Sequence, residues 1–213
     1  MGRLISNISA KKYCFVIGIL AISTAVQSQS RWKQGVGIGL SYVDYIESID
    51  QDIGDVYNFE TILKSSFNIW GAYHLTSNFK LSFAPGFSWK GGRQVADRNI
   101  YEGVYFDLPI IAHRRLFDHL SISSGLAYNY MIHLGEGMDS DTYNLTAHAE
   151  NRHFISCIMG LTYKLNNFFD INVNYSQSLN TVYRYQVTNP TGSEIANIDL
   201  KNRGLQLLLT YHH

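Results

Sequence analysis

The chain has 213 residues, of which 46% are hydrophobic and 16% are charged, and its 17 Lys and Arg residues balance its 17 Asp and Glu residues. This length and hydrophobic content allow one folded domain, and the balanced charge excludes the basic surface that marks nucleic-acid-binding proteins. Aromatic residues make up an unusual 14%, including 15 Tyr. Tyrosine suits a surface where one end of the side chain meets apolar surroundings and the other end meets water.

The N-terminus has the pattern of an export signal. Positive residues precede the apolar run CFVIGILAISTAV, which is too short to span a bilayer comfortably, and small residues follow it. We predict a signal peptide over residues 1–28 and a mature domain over residues 29–213, with an uncleaved N-terminal anchor as the alternative. Cleavage would leave Cys157 as the single cysteine, so no intramolecular disulfide is expected.

Eight segments of the mature domain alternate apolar residues with small or polar ones, which predicts strands whose two faces meet different surroundings. In chain order they span residues 35–42, 67–75, 79–89, 104–113, 120–132, 155–165, 169–176 and 204–211. In the third, FKLSFAPGFSW, one face carries Phe, Leu, Pro and Trp, and the other carries Lys, Ser, Ala and Gly.

The connections between these segments alternate in length. Three are short and have the parity of a three-residue hairpin loop: residues 76–78, 117–119 and 166–168. Four are long and polar: roughly residues 45–62, 90–102, 133–152 and 184–203. This alternation places all short turns at one end and all long loops at the other, as in bacterial outer-membrane barrels, where periplasmic turns are short and extracellular loops are long.

The side-chain chemistry of the two faces favours lipid over a protein core as the neighbour of the apolar face. The second face is mostly Gly, Ser, Ala, Asn and Thr, which fit the narrow interior of an eight-stranded barrel. The apolar face lacks central charges and ends in aromatic residues: Tyr42, Tyr73, Trp89, Tyr128, Tyr130, Tyr163, Tyr175 and Tyr211. We predict an all-β fold, an eight-stranded antiparallel up-and-down transmembrane β-barrel; a soluble lipocalin-like barrel is the alternative.

The run YFDLPIIAHRRL, followed by a short turn and LSISSGLAYNY, resembles the Bacteroidota outer-membrane β-barrel family, which is often described as porin-like or similar to the OmpA and OmpX barrels. The resemblance covers roughly residues 35–211 and rests on pattern and order. It implies an eight-stranded barrel in the outer membrane, without assigned chemistry. The chain departs from such barrels at its end, where His212 and His213 follow Tyr211 in place of a terminal aromatic residue.

Several polar residues fall on the inward face. Lys164 and Asp170 face each other across the last short turn and are expected to form a buried ion pair, while His74 and Lys80 take the equivalent places at the first turn. Asp107 lies beside Pro109, and a proline within a strand is typical of an edge, a kink or a bulge.

The other candidate motifs do not predict a site. The eight histidines are scattered and lack metal-ligand spacing, so we expect them to be solvated or interfacial: His74, His113, His119, His133, His148, His153, His212 and His213. The glycine-rich GVGIG segment lacks nucleotide-binding spacing and is expected to relieve crowding in the lumen. Loop one, DYIESIDQDIGD, is acidic and loop two, KGGRQVADRN, is basic, so these loops are expected to pack together or to bind a charged ligand.

We therefore expect no catalytic, cofactor-binding or metal-binding residues and no cofactor. The predicted function is that of a non-enzymatic outer-membrane protein with a structural, surface-binding or transport-assembly role. Its expected partners are outer-membrane lipid and lipopolysaccharide, the barrel assembly machinery and an extracellular ligand bound through the long loops, but no nucleic acid. Three alternatives remain: a narrow solute channel lined by Lys80, Lys90, Asp107 and Asp170, a soluble ligand carrier, and a lipid-modifying enzyme with His and Ser or Asp at the long-loop rim.

Overall fold

The computed structural model describes residues 31–49, 59–94, 100–138, 141–144, 151–188 and 194–213, so the predicted signal peptide lies outside the described residues. Within these ranges no helix is long and apolar enough to cross a membrane. The chain forms β1 (Trp32–Ile49), β2 (Phe59–Glu60), β3 (Ile62–His74), β4 (Phe79–Phe83), β5 (Gly86–Gln94), β6 (Ile100–Arg115), β7 (Leu120–Met138), β8 (Asp141–Asn144), β9 (His153–Lys164), β10 (Phe169–Ser178), β11 (Tyr183–Thr188) and β12 (Glu194–His212).

Antiparallel pairing closes these strands into a ring of eight positions. The order of the strands around the ring is β1, β3, β4 together with β5, β6, β7, β9, β10 and β12. Each strand pairs with the next, and β12 pairs with β1 to close the ring. β4 and β5 follow one another in a single position of the ring. The predicted all-β, eight-stranded up-and-down barrel is confirmed.

The three predicted short turns are present. In each, the residue before the loop donates its backbone N–H to the residue after it: Leu75 to Phe79 at 3.0 Å, Leu116 to Leu120 at 2.9 Å and Leu165 to Phe169 at 3.0 Å. We call this the short-turn end of the barrel and the opposite end the long-loop end.

The strands at the long-loop end are longer than the alternation predicts. β2 pairs with β5, β8 with β7, and β11 with β12, so much of three long links is strand and not irregular loop. The hydrophobic pattern misses these extensions because a strand that has left the apolar surroundings no longer needs an apolar face.

One wall of the barrel is interrupted at Ala84 and Pro85, between β4 and β5. Pro109 of β6 lies opposite, where the N–H of Ala84 donates to its carbonyl at 3.3 Å. Neither proline has an N–H to donate, so the ladder is weakest where the two prolines meet. On its other edge β6 pairs with β7 continuously through Pro109, and the register shift in that pairing falls between Val104 and Tyr105, away from Asp107.

The apolar face of the wall points away from the lumen. Phe83, Leu108 and Leu207 are 41%, 38% and 52% exposed, whereas Ser82 is only 2% exposed. Aromatic residues predicted to flank the apolar belt are exposed as well: Tyr42, Trp89, Tyr128, Tyr163, Tyr175 and Tyr211. A soluble lipocalin-like barrel would have the opposite arrangement, with apolar side chains inside, so that alternative is wrong.

Away from the long-loop end, the interior holds mostly small and polar side chains, as predicted. The glycine-rich start of β1 illustrates why: a Cβ atom on Gly37 would lie 2.4 Å from Oδ1 of Asn68 on the neighbouring strand. A larger residue at this position would have to move the Asn68 amide, so glycine relieves crowding in the lumen here.

Candidate functional site

A lysine of β5 lies at mid-height inside the lumen. The ammonium of Lys90 donates to Oδ1 of Asp107 at 2.8 Å and to Oδ1 of Asn129 at 2.8 Å, and Ser88 donates to the other oxygen of Asp107. The ammonium also lies 5.0 Å from the ring centre of Tyr105 and 5.6 Å from that of Phe154, within range of cation–π attraction. Lys90 is thus held by ionic, hydrogen-bond and aromatic partners together.

An apolar plug fills the lumen on the long-loop side of Lys90. It consists of five buried side chains: Tyr105, Met131, Leu134, Phe154 and Val182. The rings of Tyr105 and Phe154 meet edge to face with their centres 5.6 Å apart. Val182 comes from the link between β10 and β11, so a connecting segment folds inward to complete the plug.

More aromatic contacts join β1, β2 and β6 near the same end. The ring of Phe59 packs edge-on against Tyr45 at 5.4 Å and against Tyr101 at 5.8 Å. Because Tyr45 and Tyr101 are both buried, the long-loop end of the barrel is a packed structure and not an open mouth.

Two small cavities lie inside the described part of the barrel. One of about 80 Å³ lies at the short-turn end and another of about 70 Å³ lies beside Lys90 and Asp107, and they share no lining residue. Volumes of this size hold a few water molecules.

The cavity at the short-turn end collects charged and polar side chains. The carboxylate of Asp170 lies 4.0 Å from the ammonium of Lys80 and 3.3 Å from Nε2 of His212. Lys80 also lies over the ring of Trp70, 5.2 Å from its centre. Nε2 of His113 is 2.7 Å from the hydroxyl of Ser82.

This arrangement corrects the predicted pairing of Asp170. Lys164 and Asp170 are cross-strand neighbours, as expected, but the carboxylate is paired with Lys80 of β4 and His212 of β12. The narrow lumen explains the difference, because a long side chain reaches across to the opposite wall. The distance between two residues along the sequence does not predict a contact across the lumen.

The histidines differ in part from the prediction. His119, His153 and His213 are exposed, and His153 stacks beside Tyr128, but His113 and His212 are 5% and 3% exposed inside the lumen. His113 and His212 point inward because they occupy inward-facing positions of the alternating strands. The spacing between histidines in the sequence does not indicate which face of a strand they occupy. In the described part of the chain, no three His, Cys, Asp or Glu residues are grouped to hold a metal ion.

Ion pairs stabilise the long-loop end. The guanidinium of Arg203 donates to both oxygens of Asp44, at 2.7 and 3.0 Å, and that of Arg184 donates to both oxygens of Asp199, at 2.6 and 3.0 Å. Paired hydrogen bonds of this geometry fix orientation as well as distance. The second pair ties β11 to β12.

The strands next to the two oppositely charged loops lie side by side. β2 follows loop one and pairs with the end of β5 in loop two, where Arg93 lies 4.0 Å from Glu60. Asp44 of loop one instead pairs with Arg203 of β12. Residues 50–58 and 95–99 lie outside the described residues.

The contact with Arg184 predicts a pH dependence for the long-loop end. The guanidinium holds the pKa of the Asp199 carboxyl below its usual value. Because the folded-state pKa is the lower one, the contact stabilises the β11–β12 pair at neutral pH and is lost as the pH falls through that pKa. We expect Arg184→Gln to raise the pKa of Asp199, measured by side-chain carboxyl NMR in detergent micelles. Arg203→Gln is the matched control and should leave that pKa unchanged; equal shifts would contradict the assignment.

Comparison with known proteins supports the architecture. No family model and no curated protein matches the chain. Among solved structures, the attachment invasion locus protein Ail of Yersinia pestis is 12% identical with a TM-score of 0.53, and the alignment covers 87% of this chain and 100% of Ail. Neisserial surface protein A is 8% identical with a TM-score of 0.51, and the alignment covers 84% of this chain and 97% of that protein.

This chain has the fold of the eight-stranded outer-membrane β-barrels. At these identities the likeness concerns fold alone. Within the barrel, the residues predicted to line a channel all face the lumen but form two groups: Lys90 with Asp107 at mid-height, and Lys80 with Asp170 at the short-turn end.

The apolar plug is the feature that the sequence did not predict. The one sequence signal for the plug is that Tyr105 and Phe154 are large aromatic residues at inward-facing positions of their strands. Nothing in the sequence indicates that Val182 returns to the lumen from a connecting segment.

Proposed function

We propose that the protein is exported by residues 1–28, resides in an outer membrane, and presents its long-loop end for binding at the cell surface without catalysing a reaction. The observation that carries this proposal is that the strands continue past the apolar belt into paired extensions while the lumen beneath them is filled. A rigid scaffold that displays exposed segments is a common arrangement for recognition.

The outward apolar belt supports membrane residence. Exposed Leu, Ile, Val and Phe side chains surround the barrel, and soluble proteins rarely expose a continuous apolar surface of this kind. The short turns then lie on the periplasmic side and the paired extensions outside the cell, as in other barrels of this class.

The filled lumen argues against the solute channel. A barrel of eight strands has an interior only just wide enough for its own side chains, and here Lys90 and the apolar plug occupy it. The two cavities described inside the barrel share no lining residue.

The arrangement of nucleophiles argues against the enzyme. A lipid-modifying enzyme would need a Ser and a His together at the long-loop rim. The described residues bring Ser82 and His113 together instead at the short-turn end, where both are buried and Nδ1 of His113 has no third group to orient it.

The proposed partners follow from location. Lipid and lipopolysaccharide would contact the belt and its aromatic edges, and the assembly machinery would read the last strand, where Tyr211 faces outward. We also propose that the chain belongs with the Bacteroidota-type barrels that its sequence resembles. The name of Ail, an attachment protein with the same fold, is consistent with a surface-binding role for this chain.

Two measurements test the proposal. We expect no steady single-channel current when the refolded protein is inserted into planar lipid bilayers, because the plug blocks the lumen. Cells that display the chain should adhere to surfaces coated with extracellular-matrix protein or sulfated polysaccharide more than cells displaying a variant shortened between Thr188 and Glu194. Steady currents would support the channel, and equal adhesion on every surface would overturn surface binding.

A further inference from the structure

The cavity at the short-turn end has an excess of positive charge. Four cationic side chains line it, from four different positions around the ring: Lys33, Lys80, Arg115 and Lys164. Two carboxylates, Asp118 and Asp170, line it as well, which leaves an excess of two positive charges by subtraction. Low-dielectric walls concentrate the field of such a cluster, so the cavity favours an anion.

Some residues that line this cavity have buried hydrogen-bonding atoms without a partner among the described residues. They include Nδ1 of His113 and Nε2 of His74, and Oδ1 of Asp170 has only the contact with Nε2 of His212 at 3.3 Å. His113 is more than nine-tenths buried. Buried polar atoms are normally paired, so unpaired atoms on one cavity indicate a missing partner.

The tautomer of His113 decides whether it can donate to such a partner. The Ser82 hydroxyl has one proton, which points either to the backbone carbonyl of Ile111 at 3.4 Å or to Nε2 of His113 at 2.7 Å. In the second arrangement the ring proton of His113 lies on Nδ1, and an anion in the cavity would favour this arrangement because it accepts that proton. Lys80 contributes an ammonium that Asp170 neutralises only from 4.0 Å, beyond hydrogen-bond distance.

We propose that this end of the lumen is a binding site for a small oxyanion of the phosphate or sulfate type, separate from the surface-binding end. Lys80 and His113 contact the anion from inside the barrel, and Lys33 and Arg115 at the rim draw it in. Asp170 holds Lys80 and His212 in place from the opposite wall and limits the cavity to one anion by its own charge.

The alternatives fit the cavity less well. A metal cation would face an excess of positive charge, and the described residues form no metal-binding group. Water alone would satisfy the unpaired nitrogens but would not offset the charge. A membrane phospholipid is excluded by position, because its headgroup lies outside the wall and the cavity lies inside it.

Binding of inorganic phosphate to the refolded full-length barrel in detergent tests the proposal, by titration calorimetry at low ionic strength. We expect saturable binding of one phosphate per chain, weakened about tenfold or more by Lys80→Gln, since a charge-assisted hydrogen bond contributes about 1.5–3 kcal/mol. Arg115→Gln, at an exposed rim position that folding does not require, should weaken binding by a smaller factor. Arg114→Gln removes a neighbouring exposed cation that does not line this cavity and should leave the affinity within twofold.

Each variant is first checked for the folded, faster-migrating form on unboiled gels. Absence of saturable binding to the wild-type barrel would overturn the proposal, and so would equal weakening by the Lys80 and Arg114 variants. A second arm adds vesicles containing anionic phospholipid: competition with free phosphate would assign the anion to lipid and contradict a site inside the wall. Surface adhesion is not used as a readout, so failure here leaves the proposed function untouched.

Discussion

Replacing Leu207 by Arg should lower the free energy of unfolding in lipid by about 2–4 kcal/mol, the cost of a base at the middle of a barrel's lipid face. Leu207 is 52% exposed, and its neighbours across the strands are Leu40 and Val173, in the centre of the apolar belt. Urea unfolding of the barrel in phospholipid vesicles, followed by tryptophan fluorescence, measures the loss.

The same substitution at Leu63 is the matched control. Leu63 also points outward and pairs with Tyr42 at the aromatic edge of the belt, where the cost should fall to about 0–1 kcal/mol. If the belt faced water, Arg would be tolerated equally at both sites. Equal, small losses at Leu207 and Leu63 would therefore contradict a lipid-facing wall.

Removing either member of the Lys90–Asp107 pair should destabilise the barrel. Asp107→Leu leaves the Lys90 ammonium with one amide oxygen, and Lys90→Met leaves the Asp107 carboxylate with the Ser88 hydroxyl alone. The pair is part-buried, so we expect each single variant to lose about 1.5–3 kcal/mol, the contribution of a hydrogen bond to a charged group. Urea unfolding in the same vesicles gives the loss for each single variant.

The double variant Lys90→Met with Asp107→Leu closes the cycle. It removes both charges together, so its loss should be smaller than that of either single variant. Additive losses would show that the two side chains act independently and that the contact does not hold the middle of the lumen.

Strand existence and orientation could be predicted from the sequence because they follow from local alternation. The segment at residues 79–89 shows its apolar face directly, and that face is the exposed one in the structure. The short turns, each with the spacing of a hairpin loop, predict in the same way which strands are neighbours in the ring. Even the interruption at Pro85 has a local signal, although only the pairing with β6 shows that Pro109 lies opposite.

Contacts across the lumen could not be predicted because they depend on the curvature of the closed ring. Asp170 faces Lys80 from another wall, although Lys164 is its neighbour across the strands. His212 occupies the lumen because the last strand continues to the end of the ring, whereas its place in the sequence suggested a solvated tail. Val182 enters the plug from a link whose sequence resembles that of the other links.

The apolar plug and the short-turn cavity give the two ends of the described lumen opposite character. Toward the long-loop end the interior is hydrocarbon and aromatic, and toward the short-turn end it is polar with an excess of positive charge. The lumen is therefore polarised along the axis of the barrel.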